Sequence, residues 1–152
     1  HYVQNQMNSG KVRKVYHAFV HGKLPRAEGI IDAAIGQPYE DSIHRIVMDD
    51  GKPSVTRYRV LEEYKDASLV ELILETGRTH QIRVHLKYLG NPIIGDPLYH
   101  GDDLEINSFG MSHQALHAWS LELSLPRKKH LCVQAEYNSE LTDLRKRLID
   151  NK

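Results

Sequence analysis

A run of polar residues at positions 75–85 has the residue types and spacing of an anion-binding site. Gly77 permits a tight turn where a side chain would clash. The spacing that follows predicts a helix, and the first turn of a helix offers free backbone N–H groups to an anion. Arg78 and His80 lie beside that turn. Arg83 follows one turn later, where a guanidinium can hold a carboxylate or a phosphate with two hydrogen bonds.

Arg83 separates this interpretation from that of a surface helix with scattered charges. It stands between Ile82 and Val84 on a short helix, where partial burial is expected. A buried guanidinium is stable only beside an acidic partner, because desolvation of an unpaired charge is costly. We therefore expect Arg83 to need a buried carboxylate.

The elements that must position this run are a helix and a set of strands. The helix is predicted over Thr79–Leu89, with Thr79 as its N-cap and Gly90 as its stop. Its sides are lined by the apolar residues Ile82, Leu86 and Leu89 and by the basic residues His80, Arg83 and Lys87. A final helix is predicted after Ser139 as its cap, with Leu141, Leu144 and Leu148 turned inward.

Strands are predicted where apolar and polar residues alternate. They are Val15–Val20, Gly29–Ile35, Val55–Glu63, Ser68–Glu75, Leu116–Leu125 and Leu131–Tyr137. Loops are predicted at residues 37–53 and 91–101, and Asp96 is expected to hold the second loop by side-chain hydrogen bonds. Strands that follow one another through short turns favour an α+β fold with a largely antiparallel (mixed) sheet and a few helices. Residues 1–152 are predicted to form a single domain, with five to seven strands and two helices.

Composition excludes several classes of protein. The 152 residues carry 20 basic and 20 acidic side chains, so bulk charge does not hold a polyanion and basic residues must be concentrated locally. The single cysteine, Cys132, forms no internal disulfide, and we expect it in the core or half-buried. The lone cysteine favours a reducing, cytoplasmic location. No stretch is long and apolar enough to span a membrane.

The same run resembles the signature of a known family. Residues 76–86 (TGRTHQIRVHL) and 89–99 (LGNPIIGDPLY) are similar to the signature of the RluA/RluD-type RNA pseudouridine synthases. Further matches in the right order are residues 14–18 (KVYHA), residues 51–53 (GKP) with Thr56, and residues 114–118 (QALHA). The resemblance covers residues 14 to about 126.

The resemblance implies isomerisation of uridine to pseudouridine in structured RNA, ribosomal or transfer, without cofactor or metal. In this family an aspartate attacks the nucleotide, a tyrosine packs against the base, and an arginine pairs with the aspartate. By motif, the tyrosine is Tyr16 and the arginine is Arg83. RNA binding or pocket support is implied for the remaining polar residues of the motifs: Lys14, Arg78, His80, Gln81 and Lys87.

The family's aspartate motif, of the type His-Arg-Leu-Asp, is not found in this chain. The nearest match, His44-Arg45-Ile46, is followed by Val47 and lies downstream of Tyr16. We therefore expect this chain to be the C-terminal portion of a pseudouridine synthase catalytic domain whose aspartate lies upstream. The fragment alone is then predicted to be inactive, with Arg83 lacking its partner. Apolar surface exposed by truncation would permit a dimer.

Other interpretations remain open. A non-catalytic RNA-binding module or pseudoenzyme fits the same basic cluster without the aspartate. A metal-dependent hydrolase is suggested by His113 and His117, but no adjacent glutamate completes a zinc-protease motif. A plain structural domain would leave the clustering of Arg78, His80 and Arg83 unexplained.

Overall fold

The computed structural model describes residues 12–100, 109–125 and 129–151. Its strands are β1 (Arg13–His21), β2 (Glu28–Asp32), β3 (Ile35–Gly36), β4 (Ile46–Val47), β5 (Val55–Glu63), β6 (Ala67–Leu74), β7 (Leu116–Leu125) and β8 (Lys129–Gln134). Its helices are α1 (Gln81–Tyr88) and α2 (Ser139–Asp150). Neither of these two helices is of a length and hydropathy to cross a bilayer.

Six strands form one sheet in the order β2-β5-β6-β1-β7-β8, and every neighbouring pair is antiparallel. This confirms the predicted α+β class. The two strands predicted over residues 55–63 and 68–75 form an antiparallel hairpin, β5 with β6. β1 lies at the centre of the sheet, which explains why its residues from Val15 to Val20 are nearly all buried.

The short strands β3 and β4 form a separate pair, with Ile35 opposite Val47. Sequence patterning placed Ile35 at the end of one longer strand and assigned Val47 to a loop. Both assignments were wrong, because β2 ends at Asp32 and a strand of two residues is too short to show alternation.

The sheet has two faces with different partners. On one face Thr56, Tyr58, Leu72 and Tyr16 lie in register across β5, β6 and β1, and α1 packs there by bonding to Thr56. We call this the α1 face. On the other face Phe19 lies opposite Leu69, and α2 reaches it through Arg145, which binds Glu62 beside Leu69. We call this the α2 face.

The helix caps differ from the predicted ones. α1 begins at Gln81 with His80 as its N-cap, so Thr79 is not the cap. α2 is capped by Asn138 rather than Ser139, since the Asn138 side chain accepts a hydrogen bond of 2.9 Å from the backbone N–H of Leu141. The inward apolar residues of α2 are buried as predicted: Leu141, Leu144 and Leu148.

Cys132 is exposed, so the prediction that it is a core or half-buried residue was wrong. It lies in β8, which is an edge strand with one neighbour. Leu131 and Val133 on either side of it are also largely exposed. Apolar alternation in this strand therefore does not indicate core burial.

Candidate active site

The turn that leads into α1 is fixed by Gln81, whose side chain uses both its oxygen and its nitrogen. The oxygen accepts hydrogen bonds from the Thr76 hydroxyl at 2.8 Å and from the Arg78 backbone N–H at 2.9 Å. The nitrogen donates to the carbonyl of Val55 and to the hydroxyl of Thr56, both at 3.0 Å. A buried amide with four partners is fully satisfied, so Gln81 anchors the start of α1 to β5.

One turn further along, His85 makes the second anchor between α1 and β5. Its Nε2 donates to the carbonyl oxygen of Ala33 at 2.9 Å, because a carbonyl only accepts. Its Nδ1 must then accept from the Thr56 hydroxyl at 2.8 Å. Burial lowers the pKa of His85, which keeps this neutral tautomer at physiological pH.

His80 begins α1 in a left-handed backbone conformation, with φ of 56°. A histidine rarely adopts this conformation, and such residues cluster at functional sites. Its side chain does not cap the helix, and the first turn of α1 holds no acidic residue. The positive end of the helix is therefore left without a protein anion in that turn.

Arg83 forms a two-pronged ion pair with Asp96. Its Nε and Nη2 each donate to a carboxylate oxygen of Asp96 at 2.7 Å. The arginine side chain is 12% exposed and that of the aspartate 0%. Burial opposes ionisation of Asp96, but hydrogen bonds from Arg83 and from the backbone N–H groups of Leu98 and Tyr99 hold its pKa below the usual value.

This pair corrects one expectation and fulfils another. Arg83 does lie beside a buried carboxylate, but Asp96 supplies it within the chain, so the guanidinium is paired even without the family's upstream aspartate. Asp96 also holds its own loop, as expected from sequence, by accepting the N–H groups of Leu98 at 2.9 Å and Tyr99 at 3.0 Å. Gly95 is required before it, because a Cβ there would meet the carbonyl oxygen of His113 at 2.4 Å.

Tyr99 joins the arginine to the start of the helix. The guanidinium of Arg83 lies 4.8 Å from the centroid of the Tyr99 ring, a cation–π contact. The Tyr99 hydroxyl accepts the backbone N–H of Arg45 at 2.9 Å and lies 2.8 Å from His80 Nδ1. Burial and the nearby Arg83 and Arg45 lower the pKa of His80, which favours a neutral ring that can accept a hydrogen bond from the Tyr99 hydroxyl.

Arg83 keeps donors for a second anion. A guanidinium has five N–H groups, and Asp96 engages one on each of two nitrogens. The remaining donors include both on Nη1. A fixed and partly used guanidinium of this kind can pair with an incoming carboxylate or phosphate oxygen without rearrangement.

Tyr16 and Lys14 lie on the central strand, on the α1 face of the sheet. Tyr16 is half-buried and pairs in register with Leu72 and with Ala118. Lys14 is two residues earlier and faces the same way. A bulge in β7 beside Tyr16 leaves Trp119 without a partner in β1, which shifts the register next to this tyrosine.

A comparison with models of protein families matches residues 1–88 to the RNA pseudouridylate synthases. The chain belongs to this family. Over 147 residues it is 44% identical to the uncharacterized RNA pseudouridine synthase YlyB of Bacillus subtilis, a match that covers 97% of this chain and 46% of that protein. Over 132 residues it is 42% identical to ribosomal large subunit pseudouridine synthase D of Nitrosomonas europaea, covering 84% and 38%.

Solved structures of the family have the same fold. Human RNA pseudouridylate synthase domain containing 4 superposes with a TM-score of 0.81 at 26% identity, covering 98% of this chain and 67% of that one. Human RNA pseudouridylate synthase domain containing 1 superposes with a TM-score of 0.78, covering 93% of this chain and 62% of that one. The chain thus spans less than half of the two bacterial synthases named above and about two thirds of these human chains.

Within this family member, the structure gathers some of the predicted residues and separates others. Arg83 and His80 meet around Tyr99, and Arg78 is tied to Gln81 through its backbone. Lys87 is exposed near the end of α1. The proposed roles of these residues in RNA binding or support remain predictions.

Asp96, Tyr99 and Arg45 complete the site and were missed as such by sequence reasoning. Asp96 and Tyr99 stand in the second half of the signature, in a loop assigned a structural role only. The signal that could have found them was the expected carboxylate for Arg83, since the loop that follows the helix carries one. The pairing of Arg45 with Tyr99 is made by a backbone N–H and has no sequence signal.

The two histidines of the metal hypothesis do not converge. His113 approaches Glu140 at 3.4 Å, whereas His117 donates from Nε2 to the carbonyl of Ala135. In the described part of the chain, no three His, Cys, Asp or Glu side chains are arranged to hold a metal ion.

Proposed function

We propose that the parent protein isomerises uridine to pseudouridine in structured RNA, ribosomal or transfer, and that this chain supplies Tyr16 and Arg83 to the reaction pocket. The observation that carries the proposal is the buried Arg83, fixed by Asp96 and Tyr99 and still holding free N–H donors. Family membership and the placement of Tyr16 on the α1 face support it.

In the proposed reaction the N1–C1′ bond of uridine breaks and a C5–C1′ bond forms. The proton on C5 is lost and N1 gains one, so substrate and product are isomers. The attacking aspartate is proposed to lie in a segment of the parent upstream of this chain. Arg83 would pair with that carboxylate through its remaining donors, and Tyr16 would pack against the base, which must leave its stack.

Loss of the C5 proton provides the assay. RNA labelled with tritium at C5 of uridine should release tritium to solvent with the parent protein. We expect Arg83→Ala in the parent to lower the rate roughly 10²–10³-fold, the usual cost of removing a fixed donor from a reaction centre. Arg57→Ala is the matched control, because Arg57 lies on the α2 face in an exposed pair with Glu75.

Two results would overturn the proposal. If the parent binds RNA but releases no tritium from any ribosomal or transfer RNA, the non-catalytic RNA-binding alternative takes its place. If Arg83→Ala and Arg57→Ala slow the reaction equally, Arg83 has no special role. The chain by itself is expected to release no tritium, and activity of the isolated chain would refute an upstream aspartate.

A further inference from the structure

A groove of about 460 Å³ opens beside the start of α1, and Tyr16 is not among its lining residues. One wall is the turn that precedes the helix, and the other is formed by β3 and the loop after β4. Three cations, Arg45, Lys52 and Arg78, line it together with Gly77 and Thr79, and we call it the basic groove. Its lining includes one acidic residue, Asp50.

The two arginines of the basic groove are oriented by carbonyl oxygens. Arg45 donates from Nη1 to the carbonyls of Ser42 at 2.7 Å and His44 at 2.9 Å. Arg78 donates from Nε to the carbonyl of Pro53 at 3.1 Å. A carbonyl fixes a guanidinium but leaves its net charge in place. The two guanidinium groups are therefore oriented by neutral acceptors and keep their positive charge for an anion.

No carboxylate among the described residues forms an ion pair with Arg45, Lys52 or Arg78. Five other arginines of the described residues pair with carboxylates, whereas Arg26 and Arg147 form no ion pair there: Arg13 pairs with Glu122, Arg57 with Glu75, Arg59 with Glu71, Arg83 with Asp96 and Arg145 with Glu62. The cations of the groove coincide with the uncapped, acid-free first turn of α1. Charge and helix dipole therefore favour an anion in the same place.

The basic groove is connected to the candidate active site. The backbone N–H of Arg45 donates to the Tyr99 hydroxyl, and the Tyr99 ring lies under Arg83. Arg45 and Arg83 thus both contact Tyr99. The RNA strand of the proposed substrate carries phosphates beside its target uridine, so it would bring an anion to this part of the site.

We propose that the basic groove binds a backbone phosphate of the RNA strand next to the target uridine, through Arg45, Lys52 and Arg78. The proposal rests on the proposed function, which makes RNA the substrate. Such a contact positions the strand without reading its sequence. The volume of the groove lies within the range of ligand pockets, so a phosphate with part of its sugar can enter.

The test measures binding of this chain to an oligouridylate of about 12 nucleotides, a length within the usual single-strand site sizes, over a series of salt concentrations. We expect Lys52→Gln and Arg45→Gln each to weaken binding roughly fivefold. The slope of log affinity against log salt should fall by about 0.7 for each phosphate that the variant no longer neutralises. Arg57→Gln, with the same charge change on the α2 face, should alter neither the slope nor the affinity.

The outcomes separate the groove from the reaction. Equal losses in Arg45→Gln and Arg57→Gln would mean that overall charge alone matters, and unchanged binding in all groove variants would remove the site; either result overturns the proposal. Displacement of the RNA by uridine monophosphate or inorganic phosphate as readily as by unlabelled oligouridylate would show a small-anion site and also overturn it. The melting temperatures of the variants must stay unchanged. Lys52→Gln is the safer variant for folding, because the Lys52 side chain bonds to no other side chain of the described residues.

Failure of the proposed isomerisation can be distinguished from failure of the groove proposal. Tritium release by the parent protein tests the isomerisation and does not depend on the groove variants. If groove variants lose RNA affinity while the parent forms no pseudouridine, the groove stands and the catalytic proposal falls. If the parent is active and groove variants bind normally, only the groove proposal falls.

Discussion

The two faces of the sheet differ in how their charged groups are placed. On the α1 face charges and polar groups are buried and partnered, as in the Arg83–Asp96 pair and the bonds of Gln81 and His85. On the α2 face Arg57 and Arg59 are exposed and pair with carboxylates at the surface. Burial makes geometry matter, because a lost partner cannot be replaced by water. The buried and partnered groups named here thus lie on the α1 face, which is the face that holds the candidate site.

The largest expected effect that tests this difference is on stability. We expect Asp96→Ala to lower the free energy of unfolding by about 3–5 kcal/mol, because it leaves the buried Arg83 unpaired and frees two backbone N–H groups. Glu75→Ala, which removes the partner of the exposed Arg57, should cost about 0–1 kcal/mol. Urea unfolding of the two variants measures both values, and similar losses would contradict the contrast between faces.

A second test replaces buried His85 by phenylalanine, and the same substitution at His17 is the comparison given below. We expect His85→Phe to lower the free energy of unfolding by about 2–4 kcal/mol, because the Thr56 hydroxyl and the Ala33 carbonyl lose their partner. Urea unfolding measures the loss. A cost below that of Glu75→Ala would show that this network does not anchor α1.

Sequence reasoning found the parts of the molecule that repeat over several residues. β5, β6 and the apolar side of α1 were predicted from periodicity, and Arg83 was recognised as a cation in need of a buried acid. Local chemistry at single positions was harder to predict. His80 starts the helix in a left-handed conformation because tertiary bonds from Gln81 and Tyr99 hold the turn, and Thr79 has the better cap propensity but not the position.

The partner of Arg83 shows the limit of a family resemblance. The resemblance directed the search to an aspartate outside the chain, so the carboxylate inside it was assigned to loop structure alone. Asp96 does both, since one carboxylate has lone pairs for a guanidinium and for two backbone N–H groups. The basic groove was also out of reach, because Arg45 and Arg78 are far apart in sequence and only the fold of β3 and β4 brings them together.

Buried histidines on both faces make the free energy of unfolding depend on pH. Burial lowers the pKa of His85 on the α1 face and of His17 on the α2 face below the ordinary value of 6.5. Above that pH both are neutral in the folded and unfolded states. Below it the unfolded chain takes up protons first, so the free energy of unfolding should fall as pH drops from 6.5 toward the folded pKa values. Urea unfolding from about pH 8 to pH 5 measures this, and an unchanged value across that range would contradict the burial of neutral histidines.

Asp96 adds a separate loss at lower pH. Its folded pKa lies below the ordinary value of 3.8, so its contribution is present above that pH and is lost as pH falls through the folded pKa. Asp96→Asn should flatten the dependence below about pH 4 and leave the range governed by the histidines unchanged. If Asp96→Asn instead flattened the pH dependence between pH 5 and 7, the loss of stability at low pH would not come from protonation of Asp96.

The smallest expected effect is at His17, the counterpart of His85 on the α2 face. Its Nδ1 lies 2.5 Å from the Tyr137 hydroxyl, and its ring stacks on Trp119 at 4.4 Å between centroids, but its buried Nε2 has no hydrogen-bond partner among the described residues. Glu71 is 3.9 Å from that nitrogen, and with the pKa of His17 lowered by burial no ion pair holds it at neutral pH.

We expect His17→Phe to change the free energy of unfolding by less than about 1 kcal/mol, because it keeps the stack and removes an unsatisfied polar atom while the half-buried Tyr137 hydroxyl turns to water. The same substitution is costly at His85, where both nitrogens are used. Urea unfolding of the two variants side by side is the measurement. A loss at His17 as large as that at His85 would mean that Nε2 has a partner after all, and that the α2 face is as fully satisfied as the α1 face.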